Sequence, residues 1–246
     1  IANPPFNDGS KGEDGWGSSR IASDDPRLTV NGERLPLAAR NANTMWMLHF
    51  LHHLSDTGSA GFVMATGELS NSETSRLAVR QALIEADVID CIVQMPGQLF
   101  ANTQIPCSLW FLAKNRSGTG GTRDRRGKVL FIDARTMGKL FDGSRKQKTL
   151  ADDEIERIAA MYREFKRDGE PDAVPGFVAV ASTDEIREHR FALTPGRYVG
   201  AEVGLDDGEP FEERLIDLKS VLTEQMSRSA QLSEQIEEVL GALTGE

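Results

Sequence analysis

The tetrad Asn3-Pro4-Pro5-Phe6, two residues into the chain, joins groups suited to gripping a flat aminated base. The Asn3 side-chain oxygen accepts one hydrogen of an exocyclic amine, and the Pro4 carbonyl accepts the other. The prolines fix φ and stiffen the backbone that aims this carbonyl. The Phe6 ring offers a face for stacking. Two acceptors on one amine draw its lone pair out of conjugation and leave it nucleophilic. Transfer of a methyl group from a sulfonium donor to nitrogen requires that state. The competing reading of Asn-Pro-Pro is a rigid turn after a strand.

Position favours the first reading. Ile1-Ala2 reads as the end of an apolar strand that begins upstream, and no Met precedes it. The chain is therefore expected to be a fragment, cut where a strand meets its catalytic loop. After the tetrad, residues 7–40 are polar and Gly-rich, with Trp16 and Arg20 embedded. A loop this long is either a flap over substrate or a surface loop without fixed structure.

Beyond it, alternation is the organising signal. Asn41 or Asn43 can cap a helix whose stripe is Thr44, Met47, Leu48, Leu51 and Leu54, ended by Gly58. Short apolar runs at 61–66, 88–95, 108–113 and 129–133 read as buried strands. A helix from Ser72 carries Leu77, Arg80, Gln81 and Ile84 along one side. Helices alternating with apolar strands imply an α/β fold with a mostly parallel sheet and right-handed crossovers. The pair 88–95 and 108–113 has no helix between its members, so it should be antiparallel. In such a sheet the working loops lie at the carboxyl ends of strands, where Asn3 would sit. Residues 115–127, rich in Gly and Arg, read as an exposed hairpin tip.

The remainder differs in character. Asp152 or Asp153 should cap a helix running to about Arg167. A strand is expected at 177–180, and Ser182 with Glu185 forms a capping box. An acidic linker spans 200–209. From Pro210 to about Leu243 a long helix places Leu215, Leu222, Ser229, Ile236 and Leu243 every seven residues, with Leu218, Gln225, Leu232 and Val239 as the second seam. Such heptads fit an inter-subunit coiled coil, with packing against its own domain as the alternative.

Composition narrows the function classes. The net charge of −10 argues against the chain gripping a DNA duplex unaided, since phosphate contacts dominate that affinity, but not against acting on DNA held by a partner. No apolar run approaches a membrane span. Cys91 and Cys107 sit in or beside apolar strands and read as buried free thiols in a reducing cytoplasm. His49, His52 and His53 crowd one helix without a carboxylate at matching spacing, so no metal site is expected.

The ordered set Asn3-Pro4-Pro5-Phe6-Asn7, Asp25-Pro26-Arg27, Asn41-Ala42-Asn43, Gly61-Phe62-Val63, Pro96-Gly97-Gln98-Leu99-Phe100, Thr103-Gln104-Ile105-Pro106, Leu109-Trp110-Phe111-Leu112-Ala113-Lys114, Phe131-Ile132-Asp133 and Pro195-Gly196-Arg197-Tyr198-Val199 resembles the modification subunit of type I restriction-modification systems, a DNA adenine-specific methyltransferase. The resemblance covers nearly the whole chain. It implies a Rossmann-like domain using S-adenosylmethionine, with Asn3, Pro4, Pro5 and Phe6 as the catalytic tetrad. It also implies DNA, a specificity subunit, a second modification subunit and a restriction subunit as partners. The family's Gly-rich cofactor loop lies upstream of the tetrad and has no counterpart here. Gly118-Thr119-Gly120 sits in a polar tip, not between strand and helix. The expected organisation is thus 1–150 as the C-terminal part of a catalytic domain, 151–209 as an α/β extension and acidic linker, and 210–246 as an assembly helix. Alone, this segment is expected to be inactive. The alternatives are methyl transfer to an RNA base or a protein glutamine amide, and a non-catalytic assembly module.

Overall fold

The computed structural model describes residues 1–6, 21–38, 41–101, 103–144, 146–201 and 211–244. These form two compact units, Ile1–Glu202 and Val203–Glu246. The first unit holds a hairpin of β1 (Thr29–Val30) and β2 (Glu33–Arg34), then α1 (Asn43–His53), β3 (Ser59–Ala65), α2 (Thr74–Glu85), β4 (Ile89–Gln94), β5 (Cys107–Ala113) and β6 (Lys128–Asp133). A small hairpin follows, β7 (Lys139–Leu140) with β8 (Lys148–Thr149), then α3 (Asp152–Arg167), β9 (Val178–Ser182) and α4 (Thr183–Glu188). The second unit is one helix, α5 (Phe211–Thr244).

The main sheet has five strands in the order β3-β5-β4-β6-β9. Strands β3, β4 and β6 share one direction, and β5 runs against both of its neighbours, as its short connection requires. β9 adds a second reversed strand, antiparallel to β6. It lies within 151–209, so that stretch shares a sheet with the residues before it. Helices α1 and α2 contribute to one core cluster, with Leu48, Leu83, Ile92 and Trp110. Phe165 of α3 contributes to the other, with Cys91, Val93 and Ile132. Every residue of β4 is buried, which explains why its apolar run is continuous rather than alternating.

Local departures from expectation have local causes. Helix α1 ends at His53, five residues before Gly58, because Leu54 turns extended and its N–H closes on the Leu51 carbonyl. Asn41 caps it from one position further out, its Oδ1 accepting the Asn43 N–H at 2.8 Å. On α2 the buried stripe is Val79, Arg80, Ala82, Leu83 and Ile84, while Leu77 and Gln81 are only half-buried. Arg80 is tolerated inside because its guanidinium reaches the carbonyls of Phe191, Glu68 and Asn71. The N-cap of α3 is Ala151, so Asp152 and Asp153 lie in the first turn, where carboxylates still oppose the helix dipole. Ser182 caps α4, accepting the Glu185 N–H at 3.1 Å, which is one half of the expected capping box.

Two larger revisions concern the polar segments. Residues 7–20 of the expected flap lie outside the described residues, but 21–38 are folded. Ile21, Leu28, Val30 and Leu35 are buried, and Asn31-Gly32 turns the hairpin with φ of 49° and 82°. The Gly- and Arg-rich stretch 115–127 is not simply an exposed tip. Arg116 and Arg125 are buried against Asp90 at the start of β4. Arg125 reaches Asp90 with Nε at 2.9 Å and Nη2 at 3.2 Å, Arg116 with Nε at 3.1 Å, and the Tyr162 hydroxyl donates at 2.8 Å.

Candidate active site

The tetrad begins at a strand edge. The Ala2 N–H donates to the Gly61 carbonyl at 3.0 Å, and the Val63 N–H donates to the Ala2 carbonyl at 3.1 Å. This parallel bridge, with Ala2 opposite Phe62, lays the opening residues beside β3 and runs Asn3, Pro4 and Pro5 toward its carboxyl end. β4 and β6 end on the same side, at Gln94 and Asp133. The tetrad therefore lies at the carboxyl-end edge of the sheet, where α/β folds place ligands.

Asn3 is exposed, and among the described residues its side chain makes no hydrogen bond. Its amide oxygen is open to an incoming donor. Pro4 is buried, which anchors the backbone that carries its carbonyl. Phe6 is half-buried and meets Phe100 edge to face, with centroids 5.8 Å apart and planes at 84°. Phe100 was not singled out for this role in the sequence, although it ends the Pro96-Gly97-Gln98-Leu99-Phe100 motif. Its signal was an aromatic in a loop between two strands, which has no reason to meet position 6 until the sheet is assembled. The Thr66 hydroxyl donates to the Pro106 carbonyl at 2.7 Å and ties the end of β3 to that loop.

Cys107 belongs to the apolar cluster against which Phe6 packs. Burial pushes its thiol up to about 11, so it stays protonated at neutral pH and is a poor nucleophile. Cys91 is buried too, and burial again raises its thiol well above the ordinary range. Among the described residues no group of His, Cys, Asp and Glu could hold a metal ion, and no helix is long and apolar enough to cross a membrane.

The described residues at this edge thus offer an exposed amide, Asn3, next to a buried proline, Pro4, with the Phe6 ring two positions on. They do not form a donor site of the Gly-rich kind. The turn that leads from β3 toward α2 carries a single glycine, Gly67, and no described strand passes to a helix through a Gly-rich loop.

A mixed sheet with helices packed against it, and Asn3-Pro4-Pro5-Phe6 beside its edge strand β3, places the chain in the α/β class. The chain belongs to the N-6 DNA Methylase family, which residues 1–207 match. It is 39% identical over 246 residues to the type I restriction enzyme MjaIX methylase subunit of Methanocaldococcus jannaschii, covering 99% of this chain and 42% of the relative. It is 37% identical over 243 residues to the HindI methylase subunit of Haemophilus influenzae, covering 99% of this chain and 51% of the relative. The chain therefore spans about half or less of the length of these curated relatives. The crystal structure of a type I restriction-modification methyltransferase subunit from Streptococcus thermophilus superposes with a TM-score of 0.64 at 29% identity, over 81% of this chain and 37% of that one. The EcoKI M protein shares the fold, with a TM-score of 0.55 at 16% identity over 94% of this chain and 49% of that one.

Proposed function

We propose that this chain is the acceptor-side part of a type I modification subunit that methylates the exocyclic amine of adenine in DNA, in the cytoplasm, with S-adenosylmethionine as donor. The observation that carries the reading is the exposed Asn3 beside a buried Pro4 at the carboxyl-end edge of the sheet, within the stretch matched by the N-6 DNA Methylase family. The target adenine leaves the duplex, because its amine is out of reach inside it. Asn3 Oδ1 and the Pro4 carbonyl accept its two N–H bonds and favour the tetrahedral nitrogen of the transition state over the planar one of the ground state. Phe6, braced by Phe100, packs on the base. Held this way, the nitrogen needs no protein nucleophile. The donor supplies the methyl group. Its binding residues are not among those described, so residues 1–246 alone are proposed to be inactive.

Residues 1–150 carry the catalytic part in this reading, 151–209 extend it, and 210–246 assemble it with others. Leu215, Leu218, Leu222, Leu232 and Ile236, which mark the two heptad seams, are exposed, which supports a coiled-coil contact with a specificity subunit or a second modification subunit. A restriction subunit completes the proposed assembly.

Incubating the full-length protein and its partner subunits with labelled S-adenosylmethionine, and assaying DNA, RNA and protein separately, tests the reading. Label is expected in DNA on adenine N6. Label confined to RNA or to protein glutamine would transfer the site to that substrate, and no label in any of them would leave an assembly module.

A further inference from the structure

A cleft of about 370 Å³, part of whose wall reaches the carboxyl-end edge of the sheet, is lined by Ser70, Ser72, Arg80, His189, Arg190 and Arg197, among others, with Glu188 as its one carboxylate. Its position follows from its walls. Ser70 and Ser72 come just after the carboxyl end of β3. Arg197 belongs to the 3-10 turn Pro195–Arg197, which lies over the carboxyl end of β6: a Cβ on Gly196 would meet Arg135 Nη2 at 3.0 Å and Asp133 Oδ2 at 3.5 Å.

The charges here are unspent. Elsewhere in this unit Arg27, Arg76, Arg116, Arg125, Arg135 and Arg187 each face a carboxylate, while among the described residues the scattered Arg34, Arg157 and Arg167 do not. Among the described residues Arg190 and Arg197 have no carboxylate within 4.0 Å, and both are exposed. Arg80 is buried and bonded only to carbonyls. The wall is also built against local preference. Arg190 and Phe191 are consecutive non-glycine residues with φ of 54° and 58°. That conformation is held by the Arg80 Nε to Phe191 carbonyl bond at 2.6 Å and by the Leu193 N–H to Leu69 carbonyl bond at 2.7 Å. Strained backbone maintained by tertiary bonds is concentrated where a site is being shaped. Tyr198 fixes the opposite wall, stacked on Phe131 at 4.0 Å with its hydroxyl on the Ala192 carbonyl.

We propose that this cleft is a DNA-backbone subsite in which Arg190 and Arg197 neutralise phosphates and the Ser70 and Ser72 hydroxyls donate to their oxygens. Three guanidinium groups against one carboxylate suit a polyanion, in a chain whose net charge of −10 gives no general attraction for one. From the bridge at Ala2 to β6 is four strand spacings, roughly 19 Å. At about 3.4 Å per step the contacted phosphates lie about five to six nucleotides from the target base. The inference rests on the methyltransferase reading and adds to it where the duplex is held.

The test compares the full-length assembly with its Arg190→Gln/Arg197→Gln and Arg190→Lys/Arg197→Lys versions, using a fluorescent duplex over a range of salt concentrations. The slope of log affinity against log salt is expected to fall by about two in the glutamine pair, equally for cognate and scrambled duplexes, and to recover in the lysine pair. Duplexes shortened on each side of the target in turn should abolish the difference between wild type and glutamine pair once fewer than about six base pairs remain on one side. Equal slopes for wild type and glutamine pair overturn the subsite, and if wild type still labels DNA the methyltransferase reading survives that result. If wild type places no label in DNA, both fall together.

Discussion

The two ends of the sheet treat their polar groups in opposite ways. At the amino end of β4, Asp90 is fully buried and every charge is spent: two arginines and a tyrosine hydroxyl converge on one carboxylate. Asp87 adds an ion pair to Arg116 and accepts the Gly127 N–H at 3.0 Å. At the carboxyl end, Asn3 is exposed, and among the described residues its amide makes no hydrogen bond and Arg190 and Arg197 have no carboxylate within 4.0 Å. The first end is closed because unpaired buried charge is costly. The second leaves acceptors and cations available for the roles proposed for them. Polar residues bonded to one another report stability, and those left open report function.

The comparison breaks first at Asp90. Asp90→Ala leaves the buried Arg125 guanidinium without a carboxylate and Arg116 with Asp87 alone, and is expected to cost about 3–5 kcal/mol of unfolding free energy, read by denaturant titration. Asn3→Ala in the same assay should stay within about 0.5 kcal/mol of wild type, since it removes nothing folded. Equal losses at both positions would erase the distinction. Tyr162→Phe, which removes one hydrogen bond to an ionised acceptor, should cost about 1.5–3 kcal/mol. Phe100→Leu should remove about 0.5–1.5 kcal/mol of aromatic pairing with Phe6 and loosen the ring that meets the base, lowering methyl transfer more than DNA affinity.

The pH dependence has a definite sign. Burial raises the Asp90 carboxyl, but the Arg125 hydrogen bond and the charges of Arg116 and Arg125 outweigh it and hold the group below the ordinary carboxylate range. Its stabilisation is therefore fully present above about pH 4 and disappears as pH falls through the lower folded-state value. Stability measured from pH 5 downward should drop, and the drop should shrink in Asp90→Ala.

Much of this was legible beforehand because it is local. Strand runs, the reversed β5 and the Ser182 cap each depend on a few neighbouring residues. Arg116 and Arg125 were misread as surface because composition is silent about a partner 26 or 35 residues away in sequence. The core face of α2 was only partly read: Arg80 and Ile84 lie on it, but Val79 and Leu83 take the buried places expected for Leu77 and Gln81. At the candidate site, Asn3, Pro4, Pro5 and Phe6 are proposed from side-chain chemistry alone. Phe100 and the Arg190–Arg197 cleft could not be, since they exist only once β3, β4 and β6 end on one side.

The central claim is that Asn3 holds the amine during transfer. Its most direct test is single-turnover methylation of a cognate duplex by the full-length assembly carrying Asn3→Ala, with DNA affinity measured on the same preparation. The account predicts that transfer slows by about 10²–10³-fold, as when one preorganised polar contact to a transition state is removed, while affinity stays within about twofold. Unchanged turnover at saturating DNA would contradict it.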